Sequence, residues 1–231
     1  MARPHTPLLS LEKIYGGALE LVDELGDFTL PQLGRRLGVS PSSIYHHVQG
    51  RPQIINGIRS IIGASALADR GFPPHPGPWQ EQAEAWTRVY RRALSEHAKA
   101  IPLLVGEAVT DSVTLEIYER LAAVLAGAGF DDAQVVLGIS VLDNLCLGSS
   151  VDTAGPSIAW RTEPGAQPVL HRALAGCRES LDARSDAAFE AGLSAALAYL
   201  ATLPRCGGRD AAGDASDAGA AGAAGADGGD A

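Results

Sequence analysis

Apolar positions recur at helical spacing from near the start of this chain almost to its end, and no stretch alternates as a half-buried strand would. Ser10 is placed to cap a first helix running to Leu25. Leu11, Ile14, Ala18, Leu21, Val22 and Leu25 share one face of it, with Glu12, Lys13, Glu20 and Asp23 largely off that face. Gly26 and Asp27 end it. The stretch from Thr29 to Arg51 then predicts two short helices joined by a tight turn. Thr29 and Gln32 form a capping box, Leu30, Leu33 and Leu37 supply the apolar stripe, and Gly38 suits the left-handed residue that closes a helix. Ser40 restarts the chain as a cap and Pro41 takes the first helical position, for a second helix to about Val48. Helix, short break and helix make a helix-turn-helix. After Gly50, Arg51 and Pro52 a fourth helix turns Ile54, Ile58, Ile61 and Ile62 inward.

Residues 71–78, GFPPHPGP, hold four prolines and exclude regular helix, so the domain boundary is placed there. Beyond it Trp79 opens a helix carrying Ala83, Trp86, Tyr90, Leu94 and His97 along one side. A short apolar segment, Ala100 to Val105, precedes a helix from about Ser112 to Leu125 with Leu115, Tyr118, Leu121, Ala122 and Leu125 inward. Asp131 and Gln134 form a second capping box, for a long apolar helix to about Val151. Residues 152–167 read as a loop, 168–180 as a short helix, and Asp186 to about Leu203 as a long last one. That last helix has two faces to bury: Phe189, Leu193, Ala196, Leu197, Leu200 and Leu203 on one, and Ala188, Gly192, Ala195 and Tyr199 on another. With the Val135–Leu147 helix, which has the same character, it can pair with its copies across a two-fold axis as a four-helix bundle. One thick core within a single chain accounts for the same periodicity.

The expected fold is therefore all-α. It divides into an N-terminal arm (1–9), a helix-turn-helix domain whose fourth helix connects onward (10–70), the linker (71–78), a larger helical domain (79–205) and a disordered Ala/Gly/Asp tail (206–231).

Charge changes the picture in one respect. The net charge of −9 argues against a protein that coats polyanions nonspecifically, but the acidity is unevenly spread. Residues 1–60 carry six Lys or Arg against five Asp or Glu, a balance of +1, whereas residues 207–231 carry five Asp against one Arg, a balance of −4. Cys146, Cys177 and Cys206 have no metal-site spacing, and with no apolar signal segment or clean membrane span a reducing, cytoplasmic location is expected. There is no GxSxG, no phosphate-cradling GxxxxGK[ST] and no dinucleotide GxGxxG on a strand. Carboxylates do not cluster and the adjacent His46 and His47 diverge on a helix, so neither enzyme nor metal site is expected and no cofactor is implied.

The segments LEKIYGGALELVDELG and TLPQLGRRLGVSPSSIYHHVQGRPQII resemble the N-terminal DNA-binding domain of the tetracycline-repressor (TetR) family of bacterial transcriptional regulators, over about the first sixty residues. Gly34 stands where that family usually has alanine, and Arg51 where lysine is more usual. The all-helical remainder is similar to the family's ligand-binding and dimerisation domain in architecture. The resemblance implies a homodimeric repressor on a palindromic operator in double-stranded DNA, released when a small-molecule effector shifts the spacing of the two reading heads.

The residues themselves agree with this. Ile44 and Val48 point into the small domain's core, which leaves Ser42, Ser43 and His46 on the opposite face with Tyr45 and His47 to the flanks. Short hydroxyls at Ser40, Ser42 and Ser43 let the backbone come close to base edges or phosphates. Thr29, Tyr45, His47 and Arg51 are the expected phosphate contacts, which position the domain without reading sequence. Taken singly, Tyr45 also fits a half-buried packing residue and His46 a solvated histidine. For the effector, Trp86, Tyr90, His97, Tyr118, Asp143 and Asn144 are the candidate lining residues, although aromatics at helical spacing also make plain core. The alternative is a helical binding or enzymatic domain that uses its helix-turn-helix only for packing.

Overall fold

In the computed structural model, which describes residues 9–155, 160–176 and 181–205, every regular element is helical. The expected arm, apart from Leu9, and the acidic tail from residue 206 lie outside the described residues.

Helix α1 (Leu11–Leu25) starts under Ser10, whose hydroxyl accepts from the Lys13 amide at 3.3 Å, and stops at Gly26, left-handed with φ 81°. Its burial is confined to the turns between Ile14 and Val22. Leu11 and Leu25, expected on the inner face, are 41% and 61% exposed because they lie at the two ends. Helix α2 (Leu30–Leu37) carries the predicted capping box: the Gln32 amide donates to Thr29 Oγ1, and the Thr29 amide donates to Gln32 Oε1 at 2.8 Å. It ends at Gly38, φ 68°. Helix α3 (Pro41–Tyr45) is capped by Ser40 and is shorter than predicted. Past Tyr45 the chain makes a turn in which the His47 and Val48 amides both donate to the Ile44 carbonyl, at 2.9 and 3.1 Å. That turn swings Val48 into the core, 2% exposed, and leads to Gly50 at φ 144°, from which α4 (Arg51–Ala68) departs.

Ile54, Ile58 and Ile62 of α4 are buried as expected, Ile61 half-buried, and Ile55 joins them. A Cβ at Gly57 would meet the Tyr15 ring at 2.3 Å, so α1 and α4 cross there at a separation only glycine permits. Gly34 serves a similar end. A Cβ on it would come within 2.8 Å of the Val39 carbonyl oxygen, while its own carbonyl accepts from the Val39 amide at 2.9 Å, folding the turn tightly onto α2.

The larger part holds α5 (Trp79–Glu96), a 3-10 turn (Ala98–Ala100), α6 (Ile101–Val105), α7 (Ser112–Gly127), α8 (Asp132–Thr153), α9 (Pro168–Gly176) and α10 (Leu181–Thr202). The segment 71–78 is not a loose tether. Phe72 is buried 6.5 Å from the Trp86 ring, Arg120 lies over the Phe72 ring, and Arg120 Nη1 donates to the Pro73 carbonyl at 3.2 Å. The aliphatic core accordingly runs from α1 and α4 into α5, α7 and α8.

Three further expectations of the pattern need correction. The inner face of α7 is Thr114, Ile117, Leu121 and Leu125, one residue round from the predicted stripe, so Leu115 is 49% exposed and Ala122 half-buried. Helix α10 begins five residues before Asp186, at Leu181. Helix α8 runs through residues 152 and 153, expected in the loop, and α9 ends at Gly176, its predicted continuation lying outside the described residues.

By length and composition α8 is apolar enough to cross a membrane, the one such helix among the described residues. Its partners place it in a bundle instead: it packs against α5, α7 and α10, burying Gly138, Leu142, Cys146 and Ser150. Its opposite side leaves Val136, Leu137, Ser140, Gly148 and Val151 exposed, and α10 likewise exposes Ala188, Ala195 and Tyr199 while burying Phe189, Leu193 and Leu200.

Trp86 is the largest side chain with no exposure, and its indole N–H donates to the Ile117 carbonyl at 2.8 Å. Trp86→Ala leaves a cavity and removes the indole hydrogen bond to Ile117, and should lower unfolding free energy in urea by about 3–5 kcal/mol.

Candidate nucleic-acid interface and effector cavity

The outward tip of the helix-turn-helix is built by burying its other side. Ile44 and Val48 are held at 0% and 2% exposure, which turns Ser42, Tyr45, His46 and His47 into solvent, Tyr45 at 57%. The hydroxyls of Ser42 and Ser43 lie 2.8 and 2.9 Å from Ser40 Oγ, and the Ser43 amide donates to that same oxygen at 3.2 Å. These three serines form one hydroxyl cluster. Thr29 is exposed at the start of α2, with its hydroxyl already donating to Gln32 at 2.7 Å.

The cations are less available than their number implies. Arg51 packs its guanidinium 4.3 Å above the Phe28 ring, donates to the Phe28 carbonyl and pairs with Asp27, which holds the Asp27 carboxyl below its ordinary value. Arg36 bridges Glu20 and Glu24, and the same hydrogen bond lowers the Glu24 carboxyl. Arg35, by contrast, is exposed on the outer stripe of α2 with Pro31 and Gly38, and it is in no ion pair among the described residues. Arg51, expected on phosphate, thus stitches α4 to the residues before α2. Arg35 is the cation of α2 that carries no ion pair among the described residues.

A second site lies in the larger part. A cavity of about 280 Å³ opens between α4, α5, α6, α7 and α8. Four of the six candidate residues line it: Tyr90, Tyr118, Asp143 and Asn144. Tyr118 donates to Asp143 Oδ1 at 3.1 Å and lies 3.5 Å, hydroxyl to hydroxyl, from Tyr90. Burial, with only partial relief from the Tyr118 hydrogen bond and the charge of Arg59, raises the Asp143 carboxyl above its ordinary value. Burial also pushes both tyrosine hydroxyls upward, so they stay protonated donors.

Trp86 and His97 do not line the cavity. Trp86 sits behind it, its ring 5.1 Å from Tyr90 and 6.2 Å from Tyr118, as a wall that fixes both. His97 Nδ1 is 2.8 Å from Asp23 Oδ2, and Lys99 Nζ donates to the carbonyls of Asp23 and Glu24 at 2.8 and 3.1 Å. Both residues therefore fasten the end of α1 to the 3-10 turn.

The residue missed from sequence is Arg59. Its guanidinium, buried with the side chain at 6% exposure, lines the cavity from α4. It donates to the carbonyls of Leu104, Glu107 (2.8 Å) and Ala108 (3.2 Å) at and beyond the end of α6, and to Asn56 Oδ1 at 2.7 Å. A lone charge among Ile54, Ile55, Ile58, Ile61 and Ile62 was the available signal, since a charge on an apolar helix face needs buried acceptors. Among the described residues no three His, Cys, Asp or Glu side chains are grouped to hold a metal.

Comparison with known proteins agrees with this layout. Residues 72–203 match the family model described as tetracyclin repressor-like, C-terminal domain. The chain is 30% identical over 182 residues to an HTH-type transcriptional regulator of Saccharopolyspora erythraea, covering 74% of this chain and 75% of that one. Its fold is similar to that of a possible TetR family transcriptional regulator from Streptomyces coelicolor A3(2), with TM-score 0.72 and 21% identity over 84% of this chain and 100% of the other. It is also similar to the Streptomyces coelicolor TetR family protein ActR in complex with actinorhodin, with TM-score 0.67 and 24% identity over 84% and 97% of the two chains.

A carboxyl raised in the folded state binds its proton more tightly there than in the unfolded chain. Its contribution therefore turns unfavourable as pH rises through the interval between the ordinary carboxylate value and the raised one. Asp143→Asn, whose amide oxygen still accepts from Tyr118, should raise the melting temperature at pH 7 and leave it unchanged below about pH 3.5, under the ordinary Asp value. Melting curves across that range test this.

Proposed function

The chain belongs to the tetracyclin repressor-like family of transcriptional regulators, and from that premise we propose that it is a dimeric repressor of a palindromic operator, released by a small molecule that enters the cavity under Arg59. The observation that carries the proposal is Arg59 itself, which lines the cavity and holds α4, the helix that follows directly on the DNA-facing tip. A ligand that prefers one position of α6 against α4 biases the seat of the reading helix, which is all that effector control requires.

In this reading the Ser40, Ser42 and Ser43 cluster with His46 meets base edges, and Tyr45, His47, Thr29 and Arg35 meet phosphates. Arg51 supports the tip from behind. The exposed apolar faces of α8 and α10 close the dimer as a four-helix bundle, which sets the two tips about one turn of DNA apart, roughly 34–36 Å, or a multiple of it. The site of action is the cytoplasm, where the operator lies. Residues 10–70 then act as the DNA-binding unit and 79–205 as the effector and dimerisation unit. The alternative in which the helix-turn-helix only packs is disfavoured, since its polar tip faces solvent and its core side is complete without that tip.

Selection of bound sequences from random DNA followed by gel retardation supplies the operator. Tyr45→Ala should then weaken operator binding by about 1–3 kcal/mol while helicity and dimer mass stay unchanged; undiminished affinity would refute the assignment of the tip. Arg35→Ala should weaken binding to all sequences alike and flatten the slope of log K against log salt by about one. Ala195→Arg, placing a charge on the small-residue face of α10, should shift sedimentation from dimer to monomer and abolish operator retardation together.

A further inference from the structure

We propose that the cavity between α4 and α8 accepts a small organic cation, an amine carried on an aromatic or compact apolar group; the proposal rests on reading this cavity as the effector site. The chemistry of its wall is asymmetric. Asp143 is the one carboxylate in it with a hydrogen-bonded anchor inside the cavity, from Tyr118, and among the described residues no cation lies within ion-pair distance of it. Arg59, the cation of the same wall, has its guanidinium turned onto the carbonyls of Leu104, Glu107 and Ala108, leaving it poorly placed to neutralise Asp143 or to receive an anionic ligand. Glu107 lines the cavity beside these groups, with its backbone carbonyl held by Arg59. A desolvated carboxylate without a counter-ion is costly, and a ligand that brings the missing positive charge recovers that cost on binding.

The aromatic side supplies the rest. Tyr90 and Tyr118 meet edge to face, 6.1 Å between centroids at 80°, so the lining combines ring faces with ring edges beside the carboxylate. A cation against tyrosine faces is attracted by the ring quadrupole, and more strongly as water is excluded. The volume of about 280 Å³ admits a compact ligand rather than an extended polycyclic one.

The test uses the full chain and three probes of one shape and three charges: phenethylamine, 2-phenylethanol and phenylacetate, titrated calorimetrically at pH 7. The amine is expected to bind at least about tenfold more tightly than the alcohol or the acid. Asp143→Asn, which keeps the shape and the Tyr118 bond, is expected to remove that preference while leaving the weak binding of the alcohol in place. Equal binding of the three probes, stronger binding of phenylacetate, no heat from the amine at millimolar concentration, or an unchanged preference in Asp143→Asn would each overturn the proposal. Retardation of operator DNA is measured on the same preparation. DNA binding without amine preference sinks this inference and leaves the repressor reading standing; amine preference without DNA binding does the reverse.

Discussion

A buried guanidinium with fixed acceptors is the constraint on which the two halves of this protein depend. Arg59 sits on a helix whose other inward residues are isoleucines, and it donates to three backbone carbonyls of the chain leaving α6 and to Asn56. The last carbonyls of any α-helix lack partners within it, and a buried charge lacks water. Each deficit here satisfies the other. Asn56 extends the arrangement by accepting from the Thr110 amide at 3.2 Å, so α4 reaches the loop before α7 at two points. Sliding α6 along α4 strands a charge and several carbonyls at once, which favours a small set of discrete positions over continuous drift.

The remaining ties run parallel to this one and share its location. His97 and Lys99 hold the C-terminal end of α1, and Arg120 holds the segment that leads from α4 into α5. The first two join the small helix-turn-helix unit to the larger helices at its back, and the third fixes the segment that follows it, all away from the serine, tyrosine and histidine tip. The unit is therefore gripped on the side that faces the cavity and left open at the serine, tyrosine and histidine tip. Movement at the cavity has a short mechanical path to the tip, through α4 and Gly50 into the turn that follows Tyr45.

What could be read from the sequence was whatever local chemistry decides. The capping boxes at Thr29 and Asp131, the left-handed Gly26 and Gly38, and the burial of Leu33, Ile44 and Val48 follow from neighbours three or four residues away. The end of α3 did not, because it is set by the need to bring Val48 inward and meet Gly50. The inner face of α7 shifted for a similar reason, since it answers to α4, where a Cβ on Gly63 would come within 3.4 Å of Ile117, Val113 and Thr114. Four of the six cavity candidates were legible on the same terms. Tyr90, Tyr118, Asp143 and Asn144 stood out as polar groups on apolar helices, and they converge. His97 stood out equally, but its partner Asp23 is 74 residues away in sequence, a distance at which periodicity is silent. The Arg51 pair with Asp27 could not be read from the sequence, because a cation at a helix start looks the same whether it faces phosphate or a carboxylate.

Electrostatics give the reading unit its character. The balance of +1 over residues 1–60 is already small, and the pairing of Arg36 with Glu20 and Glu24 and of Arg51 with Asp27 removes two of its cations from easy use. Nonspecific affinity grows with the number of phosphates neutralised, so one such unit holds DNA weakly wherever it lands. Two units on a rigid dimer change that arithmetic: once one tip is seated, the second meets its half-site at high effective concentration, but only when the spacing matches. Weak charge and strict spacing thus work together. A head with many free arginines would stay on DNA when an effector altered the spacing, whereas a head with few lets go.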